Sequence, residues 1–428
     1  MRILHTSDWH LGQHFMGKSR QAEHAALIAW LLEQVEEHAV DAVLIAGDIF
    51  DTGAPPSYAR ELYSQLVVGL HGAGISLLLL GGNHDSVATL GESRALLARL
   101  NTQVLAQWSG HAGQHVLELP LRRTGTQQAG PGCLVCALPF LRPRDLVQSQ
   151  AGQSAQDKQQ ALQTAIQDCY QQVYAAALQR RETLAAELGR HLPIIATGHL
   201  TTVGASSSES VREIYVGSLE AFPSNAFPPV DYLALGHIHK PQKVGGQEHM
   251  RYSGSPIALS FDEAGQAKQM LLVDLADTPD TSPRVTPLPV PCFQPMASVQ
   301  GTLAELGACI QAAAAAGTAS APVWLEVTVA ENDYLPDLTE RVQTLCQGQP
   351  VELLRVKRLR GKSASALQAQ AGESLHELDP AQVFARRLAL EEIDAALALS
   401  LGQCHAEILD SLAKEGDGGG DAAGKAHA

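Results

Sequence analysis

Short apolar runs alternate with amphipathic segments along the first part of the chain. Short segments typical of strands cover residues 2–6, 41–46 and 75–80. Segments in which apolar residues recur every three or four positions cover residues 20–38, 57–71 and 90–100. Strands that alternate with helices in this way predict an α/β fold with helices on the faces of a sheet.

A long helical segment interrupts this alternation in the middle of the chain. Residues 148–190 are rich in Gln and Ala, and their apolar positions share one helical face. These positions are Leu162, Ile166, Tyr170, Val173 and Ala177. We therefore predict a helical insert over residues 153–190. Strands resume at residues 193–197 and 231–235, with further β signal at 251–253 and 270–274.

The chain after residue 275 predicts a second, smaller domain. Residues 276–292 contain five prolines, which mark a linker or an irregular edge. Helices at 303–315 and 335–346 then alternate with strands at 323–329 and 351–358. The predicted parts are a main domain (1–275), a small α+β domain (276–362), C-terminal helices (375–413) and a disordered Gly-rich tail (414–428).

Composition excludes some classes of protein. The chain has 428 residues and a formal net charge of −15, which argues against a protein that coats nucleic acid by charge alone. Its seven cysteines are scattered, which suits a reducing compartment. We expect Cys133 and Cys136 to be plain buried thiols, because no further zinc ligands lie nearby. Since neither a signal peptide nor a membrane-spanning run is evident, we expect a cytoplasmic protein.

Polar side chains follow directly after several predicted strands. These strand ends read HTSDWH, IAGDIFD, LGGNHD, ATGHL and LGHIH in chain order. The carboxyl ends of strands form the ligand crevice of an open α/β sheet, so these side chains should meet at one edge. They are Asp8, His10, Asp48, Asn83, His84, His199, His237 and His239.

The mixture of imidazole and oxygen ligands indicates a transition-metal site. Mn²⁺, Fe²⁺ or Zn²⁺ suit this mixture better than Mg²⁺ or Ca²⁺, which prefer oxygen ligands. One ion with an open position needs fewer ligands, whereas two ions about 3.5–4 Å apart that share a carboxylate would use them all. Such a pair clamps a phosphoryl oxygen and activates water at neutral pH, so the sequence predicts phosphoester hydrolysis.

Each motif also has an ordinary structural explanation by itself. An Asp-x-His pair is common on protein surfaces, Gly-Asn-His-Asp is typical of a turn, and Gly-His-x-His can simply end a strand. Their joint occurrence in this order, each after an apolar strand, favours the catalytic interpretation over coincidence.

These motifs, in this order, resemble the calcineurin-like metallophosphoesterase superfamily. Within it, HTSDWHLG at the start, AGDIFDTGAPPSYAR at 46–60, LLGGNHDS at 79–86, GHIHKPQ at 236–242 and YSGSPIALSF at 252–261 are similar to the bacterial SbcD family. VFARRLALEE at 383–392 extends the resemblance. It implies a two-sheet metallophosphoesterase sandwich flanked by helices, a small α+β capping domain and a C-terminal helical segment that docks on a partner.

The resemblance also implies a role for each site residue. One manganese ion would take Asp8, His10, Asp48 and His239, and a second would take Asp48, Asn83, His199 and His237. Other divalent transition metals would fit the same ligands. His84 would act on the phosphate as the catalytic residue. Archaeal and eukaryotic relatives carry a histidine where this chain has Asp51, so that histidine's role is not carried over. Asp51 and Asp85 are expected to orient ligands.

The resemblance implies DNA as the substrate and an ATPase as the partner. SbcD-family proteins act as 3′–5′ double-strand exonucleases and as endonucleases on hairpins and single strands, in DNA repair, recombination and replication. They work with the coiled-coil ATPase SbcC, and a homodimer within a heterotetramer is expected. An apolar stripe beyond residue 379 supports a docking helix, although the stripe could instead pack on the small domain. Its members are Val383, Phe384, Leu388, Ile393, Leu397 and Leu401.

Three questions stay open at the level of the sequence. The same metal site could act on a small phosphodiester or nucleotide instead of DNA. A non-enzymatic scaffold would be a decayed phosphoesterase, yet none of the expected ligands is missing. The basic sequence RVKRLRGK at 355–362 could contact phosphates or be a solvated strand end.

Overall fold

The computed structural model of the chain describes residues 1–122, 130–147, 154–211, 221–278, 281–330, 337–359, 384, 397 and 400–405. The chain divides into two compact units. One comprises Met1–Thr328 and Asp337–Val356, and the other comprises Val329–Pro336 and Lys357–Ala428. The predicted domain boundaries at 275 and 362 stay predictions.

Strands and helices alternate along much of the chain. The strands are β1 (Arg2–Thr6), β2 (His14–Phe15), β3 (Lys18–Ser19), β4 (Ala42–Ile45), β5 (Ser76–Leu80), β6 (Thr102–Leu105), β7 (Val116–Pro120), β8 (Pro131–Cys136), β9 (Ile194–His199), β10 (Tyr232–Gly236), β11 (Gln242–Val244), β12 (Gln247–Tyr252), β13 (Gln269–Asp274), β14 (Arg284–Pro289), β15 (Met296–Gly301), β16 (Val323–Val329) and β17 (Val351–Arg358). The α-helices are α1 (Gln21–Glu37), α2 (Ser57–Gly72), α3 (Val87–Gly91), α4 (Arg94–Ala98), α5 (Pro143–Leu146), α6 (Ala155–Leu188), α7 (Leu303–Ala314) and α8 (Leu338–Cys346).

Two six-stranded sheets form the main body of the chain. The first has the order β14-β13-β1-β4-β5-β6, and the second has the order β11-β12-β10-β9-β8-β7. In the first sheet β1, β4, β5 and β6 are parallel, so their carboxyl ends lie at one edge. In the second sheet β9, β10 and β12 are likewise parallel. Both sheets therefore present strand ends that can carry a site.

Alternation along the central strands explains how the sheets pack. In β4, Ala42 and Leu44 belong to an apolar cluster that also contains Val135 and Ala234 of the second sheet. Val43 and Ile45 face the other way, into a cluster with residues of α1 and α2. Because both faces of the strand are covered, β4 is apolar throughout. The predicted two-sheet sandwich flanked by helices is confirmed.

The long helix α6 covers the outer face of the second sheet. It begins with a capping box, in which Ser154 accepts a hydrogen bond from the Asp157 amide, and it ends at Gly189, whose φ is +67°. The apolar positions predicted for this helix are all buried. The Gln- and Ala-rich segment is therefore part of the second core, where Leu162 and Ile166 lie in one cluster with Leu233.

Two local predictions need correction or refinement. The single helix predicted at 90–100 is wrong, because the structure has two short helices, α3 and α4, on either side of Glu92. The glycine at the end of α3, Gly91, weakens a continuous helix. The proline-rich segment 276–292 contains an edge strand, β14. An edge strand tolerates prolines, because the positions that lack an N–H group can face away from the neighbouring strand. Cys133 and Cys136 are buried free thiols, as predicted.

A small sheet packs on the main body through aromatic side chains. Its strand order is β15-β16-β17. Trp324 of β16 stacks on Phe15 of the β2–β3 hairpin with ring centroids 5.9 Å apart, and Phe261 and Met296 complete this cluster. The buried Arg20 lies within 5.8 Å of the Trp324 ring centroid and is paired with Glu23. This packing holds β17 close to the edge that carries the predicted site.

The C-terminal predictions fall largely outside the described residues. In the second unit, Phe384, Leu397 and residues 400–405 are helical, and the rings of Phe384 and His405 stack 3.9 Å apart. The docking stripe and the tail at 414–428 otherwise lie outside the described residues. No helix in the described ranges is long and apolar enough to cross a bilayer.

Candidate metal centre

The strand ends bring the predicted ligands to one edge of the sandwich. The loop after β1 carries Asp8 and His10, and the loop after β4 carries Asp48. The second sheet contributes His199 at the end of β9 and the histidines directly after β10. The six predicted ligands with charged or imidazole side chains are all at most 2% exposed: Asp8, His10, Asp48, His199, His237 and His239. Asn83, after β5, is half-buried.

The backbone at this edge is strained where it presents the ligands. Asp8, His10, Asp48 and His237 have φ values of 56°, 49°, 51° and 92°. Non-glycine residues rarely adopt positive φ, and such strain clusters at functional sites. We infer that the surrounding fold forces these four side chains into the position they occupy.

Glycines allow the two sheets' loops to approach closely. A Cβ atom on Gly82 would lie 2.1 Å from Oδ1 of Asp48, and one on Gly47 would lie 2.2 Å from Nδ1 of His199. Neither position accepts a side chain, because real Cβ contacts are much longer. The glycines after β4 and β5 therefore let His199 and Asp48 come together.

One group of ligand atoms forms around the loop after β1. Asp8, His10 and His239 each offer an atom within 4.8 Å of the others. The carboxylate of Asp8 is fixed from outside this group, since Ser7 Oγ donates to its Oδ2 at 2.6 Å and the His237 amide donates to its Oδ1 at 2.9 Å. These donors hold the Asp8 carboxylate in place beside the two histidines.

A second group of ligand atoms forms around His199. Asp48, His199 and His237 again offer atoms within 4.8 Å of one another. His199 Nδ1 donates a hydrogen bond to the Ala46 carbonyl at 2.9 Å, which leaves Nε2 to face the other candidate ligands. That Nε2 lies 3.2 Å from Asp48 Oδ2 and 2.9 Å from Asn83 Oδ1. Three atoms that can bind a metal thus lie close together around His199 Nε2.

Asp48 belongs to the second group and also lies next to His10 of the first. Its Oδ2 is 3.2 Å from His199 Nε2 and 3.7 Å from His10 Nε2, and its Oδ1 accepts the His84 amide at 2.9 Å. One carboxylate therefore lies between histidines of the two sheets. This is the geometry in which a carboxylate can bridge two ions.

The charges in the site act strongly on the imidazoles. Burial lowers the pKa of His199, but the charge and hydrogen bond of Asp48 outweigh burial and raise that pKa to about 9. Burial and the neighbouring His199 hold the pKa of His237 well below its usual value. Asp48 thus favours the protonated form of His199, whereas the surroundings of His237 favour its neutral form. A dense negative field next to a neutral imidazole is an environment that suits a divalent cation.

Two imidazole atoms at this edge show that the donor set fits a metal. The Nε2 atoms of His10 and His237 are buried and have no hydrogen-bond partner among the described residues. Buried polar atoms are almost always paired, so two such atoms at one edge need an explanation. A metal ion supplies it, because each atom lies in one of the ligand groups.

The other predicted site residues lie next to these groups. His84 lines the cavity at the site, its Nδ1 lies 2.8 Å from the Asp51 carbonyl, and its ring meets that of His10 edge-on at 4.6 Å. The Asp51 carboxylate lies 3.1 Å from His10 Nδ1. Asp85 instead accepts backbone N–H groups of Ile49, Phe50 and Gly82. The structure thus brings Asp51 to a ligand, and it places Asp85 behind the loops that carry Asp48 and Asn83.

Comparisons with known proteins agree with this geometry. The family model described as calcineurin-like phosphoesterase matches residues 1–241, and the model described as type 5 capsule protein repressor C-terminal domain matches residues 292–392. The SbcD subunit of the nuclease SbcCD from Escherichia coli K12 is 51% identical over 415 residues, which cover 97% of this chain and 99% of that protein. The chain belongs to the SbcD group of calcineurin-like phosphoesterases. It is therefore a metal-dependent phosphodiester hydrolase.

More distant members of the SbcD group also match. The SbcD subunit of the nuclease SbcCD from Rhodobacter capsulatus is 38% identical over 310 residues, which cover 71% of this chain and 73% of that protein. The protein of the same name from Bacillus subtilis is 31% identical over 280 residues, which cover 64% of this chain and 66% of that protein. The predicted SbcD resemblance is confirmed.

Sequence reasoning missed the residues that hold His239 of this phosphoesterase. The Nδ1 atom of His239 lies 2.6 Å from Ser210 Oγ and 3.2 Å from a Glu263 carboxylate oxygen. Glu263 is fully buried and is paired with the buried Lys268 at 2.6 Å. Ser255 Oγ also lies 3.3 Å from Glu263. The available signal was weak, because Glu263 follows the YSGSPIALSF motif by two residues and nothing in its spacing indicates a contact with His239.

The charge on Glu263 is stabilised by its neighbours. Burial alone would raise the pKa of Glu263, but the hydrogen bond with His239 and the Lys268 ammonium outweigh burial and hold the pKa well below its usual range. An ionised Glu263 accepts the Nδ1 proton of His239 and so directs the Nε2 lone pair toward Asp8 and His10. Such carboxylate–histidine contacts orient metal ligands in many proteins.

We predict that Glu263→Gln weakens metal binding by about 10- to 100-fold, because the amide no longer fixes the orientation and basicity of His239. Titration calorimetry of the full chain with Mn²⁺ measures this affinity. Glu187→Gln, on the surface of α6, is the matched control and should bind as the parent does. Unchanged Mn²⁺ affinity in a folded Glu263→Gln protein would contradict the role given to Glu263.

Proposed function

We propose that this chain is the nuclease subunit of an SbcC–SbcD-type complex and hydrolyses DNA phosphodiester bonds with two manganese ions. The observation that carries the proposal is the position of Asp48 between His10, in one group of candidate ligands, and His199, in the other. The matched relatives are all named as the SbcD subunit of a nuclease, SbcCD, which supports a nucleic acid substrate.

Each ion would take ligands from both sheets. We assign Asp8, His10, Asp48 and His239 to the first ion, and Asp48, Asn83, His199 and His237 to the second. When bound, such ions polarise a phosphoryl oxygen and lower the pKa of water. The protein supplies the fixed geometry, because strained loops hold the ligands and Ser7 and Glu263 hold two of them from behind.

His84 is proposed to be the catalytic residue. Its Nδ1 is engaged by the carbonyl of Asp51, so Nε2 is the ring atom that we propose meets the phosphate. There it would stabilise the developing charge or give a proton to the leaving oxygen. The carboxylate of Asp51 would meanwhile orient His10, and Asp85 would hold the loops after β4 and β5 through backbone N–H groups.

A capping role of the small domain is supported by residues at the cavity. The cavity beside the ligands is about 260 Å³ and is lined by His10, His84 and His239 together with Arg355 of β17. Arg355 lies over the Phe261 ring at 5.5 Å and pairs with Glu326. A guanidinium at the mouth of a phosphoesterase cavity suits contact with phosphate. We therefore propose a substrate-binding role for Arg355.

The proposed complex and its setting follow from the SbcD group. We propose duplex ends and hairpins as substrates, a coiled-coil ATPase of the SbcC type as partner, and a homodimer within a heterotetramer. Docking would use the C-terminal helices predicted at 375–413. Action in DNA repair, recombination and replication, and a location in the cytoplasm, stay predictions from the sequence.

The proposal is tested by digestion of a DNA hairpin. The full chain, co-purified with its coiled-coil ATPase, should cleave the hairpin in Mn²⁺, and chelation of the metal should stop cleavage. Turnover of bis(p-nitrophenyl) phosphate measures the metal centre independently of DNA. Activity on the small diester without any cleavage of DNA, with or without ATP, would favour the alternative of a phosphoesterase that acts on small phosphodiesters or nucleotides.

A further inference from the structure

A basic cleft lies outside the cavity of the metal centre. It has a volume of about 470 Å³ and is lined by three cations, Lys240, Lys243 and Arg251, together with uncharged residues of the segments around β11, β13 and β14. The described residues that line it include no carboxylate. In a chain with a net charge of −15, three cations in one cleft form a local exception.

Arg251 lies in an unusual place for an arginine. In the parallel pair of β10 and β12 it is level with Ala234, which faces the core between the two sheets. Arg251 is only 8% exposed, and no hydrogen bond to its guanidinium is found among the described residues. Its ion-pair partner is Glu248, at 3.7 Å. The guanidinium nitrogens of Arg251 are not among the buried atoms that lack a partner, so they reach solvent at the cleft and can bind an anion there.

The carboxylate of Glu248 does not line the cleft but pairs with two of its cations. Its side chain is 68% exposed and contacts both Lys243 and Arg251. Exposed ion pairs of this kind contribute little stability, so an anion with better geometry can replace the carboxylate. A phosphate offers more acceptor oxygens than a carboxylate and matches the fork of an arginine.

Residues that line the cleft are adjacent in sequence to residues at the metal centre. Lys240 directly follows the ligand His239, and its side chain is exposed. On the other wall, Gln266 and Gln269 flank Lys268, whose ammonium donates to the His239 carbonyl at 3.2 Å. The strand ends that carry the ligands and the cleft therefore belong to neighbouring parts of one edge.

We propose that Lys240, Lys243 and Arg251 bind the phosphodiester backbone of the DNA strand whose neighbouring phosphate occupies the metal centre. Glu248 pairs with Lys243 and Arg251 when no strand is present. The incoming strand then displaces the Glu248 carboxylate. This inference rests on the proposed nuclease function and adds the path of the strand to it. Because contacts to phosphates carry no sequence information, the cleft should raise affinity for all sequences equally.

Equilibrium binding of a fluorescent single-stranded oligonucleotide to the full chain tests the cleft. The measurement is made in chelator, so that the strand is not cut, and at several salt concentrations. Lys243→Gln combined with Arg251→Gln should weaken binding severalfold, and each lost phosphate contact should reduce the salt slope by about 0.7. Glu248→Gln should strengthen binding severalfold, because a competing anion is removed. A gain of affinity cannot arise from misfolding.

Two controls separate this inference from the function on which it rests. Arg180→Gln removes a paired arginine from the surface of α6 and should leave binding unchanged. Turnover of bis(p-nitrophenyl) phosphate in Mn²⁺ should be the same in parent and cleft variants, since a small diester does not reach the cleft. A parent chain without that turnover would overturn the nuclease proposal, whatever the cleft does.

Other results would overturn the cleft itself. If the parent, the double variant and Glu248→Gln bound the oligonucleotide with equal affinity, the strand would not pass through the cleft. If the double variant did not fold, Lys240→Gln and Glu248→Gln would decide in the same assay. If inorganic phosphate alone bound as tightly as the oligonucleotide and responded equally to the variants, the cleft would be a single-anion site and not part of a strand path.

Discussion

Replacement of Asp48 by asparagine is expected to abolish DNA cleavage. The amide keeps the shape of the side chain, and its oxygen can still accept the His84 amide that Asp48 Oδ1 accepts at 2.9 Å. It cannot bridge two cations, because it lacks the second anionic oxygen that lies between His10 and His199. Since the proposed metal pair would supply several kcal/mol of transition-state stabilisation, the cleavage rate should fall by about 10³-fold or more.

The same variant should also change metal binding itself. Titration calorimetry with Mn²⁺ is expected to show loss of one binding event or a large loss of affinity in both. Asp168→Asn, on the exposed side of α6, makes the same chemical change away from the site and should behave as the parent does. If Asp48→Asn bound two manganese ions with unchanged affinity, the carboxylate would not be the bridge.

The proximity of the candidate ligands could be anticipated from the sequence because strand ends are easy to locate. Runs such as residues 42–45 and 76–80 are apolar on both faces, so they have to be buried strands, and the polar residues that follow have to lie at their ends. Parallel strands place those ends on one edge. His199 and Asp48 lie on different sheets, so their meeting depends on how the two sheets pack, which strand order within one sheet does not reveal.

The supporting residues could not be predicted, because their roles depend on tertiary contacts. Glu263 and Lys268 are five positions apart in a segment with little regular structure, and their pairing with each other and with His239 exists only in the folded chain. Arg251 is similar, since a basic residue in a short strand predicts an exposed position. Its position on the inner face follows from the register with Ala234, which the sequence does not reveal.

Backbone conformation was likewise beyond sequence reasoning. Glycine is the residue expected at positive φ, yet Asp8, His10 and His237 adopt it. The cost of this conformation has to be met by contacts elsewhere, such as the hydrogen bond from the His237 amide to Asp8. This hydrogen bond links the two sheets at the site. The Asp8 side chain of one sheet stabilises the strained backbone of His237 in the other.

Replacement of His84 by glutamine is expected to separate catalysis from metal binding. His84, His10 and Asp48 also offer ligand atoms within 4.8 Å of one another, so geometry alone permits His84 to bind metal. We propose instead that it acts on the phosphate, since its ring is held by the Asp51 carbonyl and lines the cavity. A general acid–base contribution predicts that the turnover rate falls by about 10²- to 10⁴-fold.

The two roles of His84 give opposite results in a single pair of measurements. If His84 acts on the phosphate, His84→Gln should bind manganese with the stoichiometry and affinity of the parent, while turnover of DNA and of bis(p-nitrophenyl) phosphate is lost. If His84 is a ligand, metal affinity falls together with turnover. His111→Gln, in an exposed loop, is the matched control and should change neither.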